Sequence, residues 1–286
     1  MQNLSDSNQF IINLIQRLNK DNIPFVISRC ASESKHAYSL IIKNIFYIPP
    51  SLNINAGIYS NNPNDIRLYY LSYFNSIDKS DGIAIFETIN DFKESEQYFV
   101  NIKKLHSLTY QVLEPFYCIL NNIKPWTHYL EGKKILIVSP FVESFKKQIS
   151  NGFRLFKDEN NNIFLPNQEF VFYKCFNTAA GNNLHSSWLE TFTIMCNDIM
   201  KLDFDIALLS CGGYGMPLTY FIKNKINKSS VYVGGGLQLF FGVMGKRWEQ
   251  SDIISKIIKE NGCKFIRPSN DEIIKNNNLI ENGCYW

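Results

Sequence analysis

The residues best suited to chemistry lie between Asp205 and Trp248. Cys211-Gly212-Gly213-Tyr214-Gly215 and Gly234-Gly235-Gly236 each follow a short strand-like run, Ile206 to Leu209 and Ser230 to Val233. Each also precedes an apolar stretch, Leu218 to Ile222 and Leu237 to Val243. A glycine turn between a buried strand and a helix leaves bare N–H groups at the helix start, where the peptide dipoles favour an anion. Lys246-Arg247 close the stretch with two cations. The chemistry this pattern suits is the holding of a diphosphate. Gly212, Gly213, Tyr214, Gly215, Gly234, Gly235, Gly236, Lys246 and Arg247 are its expected contacts. Ser139-Pro140, after the apolar run Lys134 to Val138, offers a further helix start of the same kind.

Candidate acid–base groups stand elsewhere. Arg29 and Glu33 follow the run Pro24 to Ser28, and Glu87 follows Gly82 to Phe86. Open α/β sheets bind ligands at the carboxyl ends of their strands. A carboxylate there can serve as a base or as a ligand for a hard cation. Plainer readings fit the same residues. Glycines also occur where a helix merely packs close to a strand, Arg29 and Glu33 suit a surface ion pair, and Glu87 suits a solvated turn.

Two familiar nucleotide motifs are excluded. Gly213-x-Gly215 is followed by Leu218 where a dinucleotide fingerprint needs glycine or alanine, and no acid ends the next strand to take a ribose hydroxyl. Gly245-Lys246 lacks the upstream glycine and the following Ser or Thr of a Walker A loop.

These turns need a sheet to carry them. Alternation of apolar runs with helical periodicity predicts a Rossmann-like α/β fold, a mostly parallel sheet with helices on both faces. Helices are expected over residues 7–19, from Pro63 through Phe74, from Phe141 through Ile149, after the capping box Ser187-x-x-Glu190, and over Asp252 to Glu260. Phe170 to Phe176 read as a further strand and Cys263 to Ile266 as a last edge strand. Residues 91–131 carry aromatic clusters without clear period and suit a helical cap or acceptor-side surface. The two aromatics of Cys284-Tyr285-Trp286 suggest docking of the tail on the body. The whole, residues 1–286, reads as one α/β domain, with 1–130 on the acceptor side and 131–286 binding the nucleotide.

Composition narrows the class. A net charge of +3 gives no nucleic-acid footprint. No apolar run approaches the length of a membrane span, and no leader pattern opens the chain, so a cytoplasmic protein is expected. Seven scattered cysteines without Cys-x-x-Cys spacing, and four separated histidines, argue against a zinc site or a disulfide framework.

Four segments also carry a resemblance. IALLSCGGYGMPLTYFIKNK, VYVGGGLQLFFGVMGKRW, FIRPSNDE and ENGCYW look like an uncharacterised family found beside polysaccharide-assembly genes. The likeness covers residues 130–286 well and the first 100 less fully. The strand order and the Arg29 to Glu33 segment resemble the GT-D class of glycosyltransferases. The resemblance implies a nucleotide-sugar donor, a glycan acceptor, and a divalent cation (Mn or Mg) held near acidic residues. Arg29 and Glu33 would stand for the arginine and last acid of that class's Arg-Phe-Gly-Asp-Gly-Glu segment. The spacing here is one residue shorter, and Ala31 stands where the class has Asp. A cation would then need Glu33 together with Glu87. Two other readings suit the glycine turns, a Rossmann-like methyltransferase and a non-catalytic nucleotide-binding scaffold of a glycan-assembly system.

Overall fold

A computed structural model describes residues 3–86 and 90–286. The chain opens with α1 (Leu4–Asp21), capped where the Asn3 side chain accepts from the Asp6 amide and closed by Asn22 in the left-handed conformation. There follow β1 (Val26–Arg29), α2 (Ser32–Lys43), α3 (Pro50–Ile54), α4 (Pro63–Asp78) and β2 (Gly82–Ile85). Next come α5 (Lys93–Gln97), β3 (His106–Thr109), α6 (Phe116–Leu120), β4 (Lys134–Ser139) and α7 (Val142–Ser150). The last third holds β5 (Glu169–Lys174), α8 (Trp188–Ile199), β6 (Ile206–Leu209) and α9 (Gly215–Phe221). It ends with β7 (Ser229–Tyr232), α10 (Leu237–Phe240) and α11 (Asp252–Asn261).

Among the described residues seven strands join one sheet in the order β3-β2-β1-β7-β6-β4-β5, and every pairing is parallel. The central strands are buried at nearly every position because both faces are covered; β4 and β6 are apolar almost throughout, while β1 and β7 bury Ser28, Ser229 and Ser230. Side chains alternate across the sheet. Ile27, Ile135, Ile137, Ile206, Leu208 and Val231 enter one core with α1, α7 and α11. Ile83, Leu136, Val138, Ala207 and Leu209 enter the other with α4, α8 and α9. Each such side chain, fully buried, contributes roughly 1.5–3 kcal/mol. This is the Rossmann-like α/β fold that the alternation predicts.

The strand order creates the place for a site. From β1 the chain builds outward to β2 and β3, then crosses to β4 and works back through β6 to β7, which pairs with β1. After β1 the chain packs on one face through Ala37 of α2, and after β7 on the other through Leu237, Leu239 and Phe240. Connections that part to opposite faces leave a crevice at the carboxyl ends of the two strands.

Three local expectations differ from the structure. β3 lies inside the stretch 91–131, to which the sequence pattern assigns no strand; only Leu108 of its four residues is buried, and His106 stacks on Phe10 with ring centroids 3.7 Å apart. Cys263 to Ile266 join no strand of the sheet, and Ile266 makes a single parallel bridge to Val243. Ser187 makes no side-chain cap to α8; Glu190 instead accepts from the Ser186 amide and hydroxyl, at 2.9 and 2.5 Å. Among the described residues no helix is long and apolar enough to cross a membrane.

Candidate functional site

A cavity of about 110 Å³ opens at the carboxyl ends of β1, β4, β6 and β7. Its walls are aromatic, from Phe141, Phe176, Tyr214, Tyr232, Tyr285 and Trp286. Arg29, Thr178, Ser210 and Gln238 supply polar groups, and Gly212, Gly234 and Gly235 bring the backbone to its surface. Of the described residues lining it, Arg29 alone has a charged side chain.

Arg29 is the last residue of β1, so strand pairing with β7 aims it across the second glycine turn. Its Nη1 donates to the Val233 carbonyl at 2.9 Å, and its guanidinium carbon lies 5.0 Å from the Phe86 ring centroid and 5.5 Å from that of Tyr232. Cation–π contact with two rings and one carbonyl bond hold the group in place. Its Nε is buried and has no partner among the described residues. Gly234 permits this approach. Its φ of +78° suits only glycine, and a Cβ there would collide with the guanidinium.

Two carboxyl groups lie within electrostatic reach of Arg29. Glu114, which precedes α6, packs against Gly236, and burial pushes its carboxyl up to about 7 although Arg29 and Arg247 pull the other way. Glu33, in the first turn of α2, is half-buried, and burial raises it against backbone and Ser32 hydrogen bonds and the Arg29 charge. Desolvation penalises the ionised form of both. Neither lines the cavity. Glu114 carries no signal in the sequence, because the turn it packs against lies far along the chain.

The glycine turns divide between packing and site. In the first, Gly213 donates its amide to Ala56 O at 2.9 Å and accepts from the Tyr69 hydroxyl at 3.1 Å. Gly215 lies under the Tyr232 ring, whose hydroxyl donates to Gly212 O at 2.8 Å. Tyr214 faces the cavity and shares a hydrogen bond of 3.0 Å with Thr178. Gly212 is exposed at the rim. In the second turn Gly234 and Gly235 line the cavity, Gly235 against the Tyr285 ring, while Gly236 is taken up by Glu114. Gly213, Gly215 and Gly236 are therefore packing glycines, contrary to their expected role.

Lys246 and Arg247 are a second correction. Their amides donate to Trp286 O at 3.2 Å and Cys284 O at 3.0 Å, and Lys246 Nζ reaches Asn282 O at 3.3 Å. Arg247 pairs with Glu281 at 2.5 Å and donates to the Tyr285 hydroxyl at 3.3 Å. Gly245 presses on the Cys284–Tyr285 backbone, so the following turn faces the tail and not the cavity. Ser139 is a third. It is fully buried and its hydroxyl accepts from the Phe141 amide at 3.2 Å. The free amides that start α7, those of Glu143 and Ser144, already bind the Glu272 carboxylate, at 2.9 and 3.2 Å. An internal anion fills that helix end.

Glu87 lies outside the described residues. Among the described residues Glu33 does not gather the several oxygen ligands that a hard cation wants. Arg29 is the nearby charge, Ala31 offers no oxygen, and no cluster of three or more metal-binding side chains occurs among the described residues. The structure thus brings Arg29, Gly212, Tyr214, Gly234 and Gly235 together at one cavity, with Glu33 off its lining but within electrostatic reach of Arg29. It adds Gln238, Thr178, Glu114 and the aromatic walls, which sequence patterns did not mark. No family model, curated protein or solved structure matches the chain.

Proposed function

We propose that this cavity binds the phosphorylated end of a nucleotide-linked sugar and that the chain transfers the sugar to a glycan acceptor. One observation carries the reading. A cation with an unsatisfied N–H, Arg29, sits at the crevice between β1 and β7 where two glycine turns come to the surface. Departure of a nucleoside diphosphate builds negative charge, and a donor already held in position lowers that barrier. Arg29 is so held by Val233 O, Phe86 and Tyr232. The space of about 110 Å³ takes one part of such a donor, and the remainder lies along the rim at Asn55 and Gly212. Glu33 and Glu114, both within electrostatic reach of Arg29, are the proposed bases for an acceptor hydroxyl, which would approach from outside the cavity that neither residue lines. The proposal carries with it a cytoplasmic location.

A second reading has its own observation. Lys246 and Arg247 are tied to the tail and Glu272 fills the α7 end, so the cavity keeps a single cation. That economy of charge suits a nucleotide-binding scaffold without transfer. Calorimetric titration with UDP-, GDP- and dTDP-hexoses and with S-adenosylmethionine, on wild type and Arg29→Ala, separates the cases. Transfer expects one class of nucleotide sugar to bind, at least tenfold weaker binding in the variant, and release of sugar from the bound donor. Binding without turnover supports the scaffold. Binding of S-adenosylmethionine alone, or of nothing, overturns both.

A further inference from the structure

We infer that Gln238 is a specificity-determining residue of the cavity, its side-chain oxygen accepting a hydrogen bond from a hydroxyl of the bound sugar. This rests on the nucleotide-sugar reading and names the part of the ligand that the enclosed space selects.

Gln238 is fully buried in the first turn after Gly234-Gly235-Gly236 and lines the cavity. Its neighbours Leu237, Leu239 and Phe240 all enter the core, so an amide buried beside them needs polar partners. Nε2 donates to Tyr285 O at 3.0 Å, which fixes the amide orientation, since the flipped amide would set oxygen against carbonyl. Oε1 is left without a partner among the described residues. A buried acceptor left unpaired costs roughly 1–3 kcal/mol, and the large majority of buried side-chain polar atoms find a partner.

The cavity therefore has two unsatisfied groups of opposite kind on its lining residues, a donor on Arg29 and an acceptor on Gln238. One small ligand answers both when it carries an acceptor oxygen, an anionic one being the strongest partner for a guanidinium, together with a hydroxyl that donates. A sugar phosphate unit does. A bare diphosphate, which offers acceptors alone, leaves Gln238 unpaired. Phe141, Tyr285 and Trp286 line the same space, and aromatic rings offer apolar faces suited to the C–H side of a sugar ring.

The test compares the best-binding nucleotide sugar of the hexose panel with its own nucleoside diphosphate by calorimetry. Wild type is expected to bind the sugar nucleotide at least tenfold more tightly. Gln238→Met keeps the length of the side chain and removes the acceptor. It is expected to erase that difference while holding diphosphate affinity within twofold. Gln238→Glu, which keeps an oxygen but loses the donor to Tyr285 O, retains part of the difference. Equal binding of both ligands by wild type overturns the inference, as does a Gln238→Met variant that keeps the preference or weakens both ligands alike. If Gln238→Met does not fold, single-deoxy sugar nucleotides on wild type decide. Loss of one hydroxyl should cost about tenfold, and no such hydroxyl overturns the assignment. Failure of wild type to bind any nucleotide removes the underlying reading instead, and the inference with it.

Discussion

Arg29 reaches the cavity only because Gly234 has no side chain and a positive φ. Gly234→Ala should therefore lower stability by roughly 1–3 kcal/mol from backbone strain alone, read by urea denaturation, and should weaken nucleotide binding together with Arg29→Ala. An alanine variant of full stability and affinity would show that the guanidinium does not depend on this contact. Glu114 makes a separate prediction. The folded chain holds its carboxyl proton up to about 7, above the ordinary carboxylate value of 4.5. Folded protein thus binds more protons than unfolded between those values, so stability should fall as pH rises from about 4.5 to about 7, by on the order of 3 kcal/mol. Glu114→Gln should flatten that slope, and an unchanged pH profile would contradict the buried placement. Arg29 and the two glycine turns were legible in the sequence because glycine runs after apolar strands are local signals. Glu114 and Gln238 were not, since each gains its meaning from residues remote in the chain, Gly236 for one and Tyr285 for the other.

Helix ends show how an element can be right and its function wrong. Ser139-Pro140 does precede α7, yet the amides of Glu143 and Ser144 are taken by Glu272, which also accepts from the Ser144 hydroxyl and the Ser269 amide. Glu272→Ala would strand these buried donors and should cost on the order of 3 kcal/mol. Thermal melting checks this, and a loss near zero would mean that water replaces the carboxylate freely. β4 and β6 were readable because both faces are covered and nearly every residue is apolar. β3 was not, because an edge strand with one fully buried residue has no such run. Cys263 to Ile266 failed for the opposite reason. Ile266 bridges only Val243, which itself lies outside the strands of the sheet, so the stretch stays a loop.

At the scale of the whole molecule, strand order decides where chemistry can occur. The pairing of β1 with β7 brings Arg29 to the second glycine turn, and no local pattern announces that long-range contact. The same topology carries Lys246 and Arg247 past the cavity onto residues 281–286, where they bind tail carbonyls and Glu281. A Lys246→Ala/Arg247→Ala double variant should leave nucleotide affinity unchanged. It should cost no more than about 1 kcal/mol of stability, as expected of solvent-facing pairs. Tenfold weaker binding would restore these cations to the site. The most direct measurement is a crystal structure after soaking with the nucleoside diphosphate of the tightest-binding sugar nucleotide. Diphosphate density beside Arg29, between Gly212 and Gly235, is the expected result. Density against Lys246 and Arg247, or an empty crevice at saturating nucleotide, would contradict it.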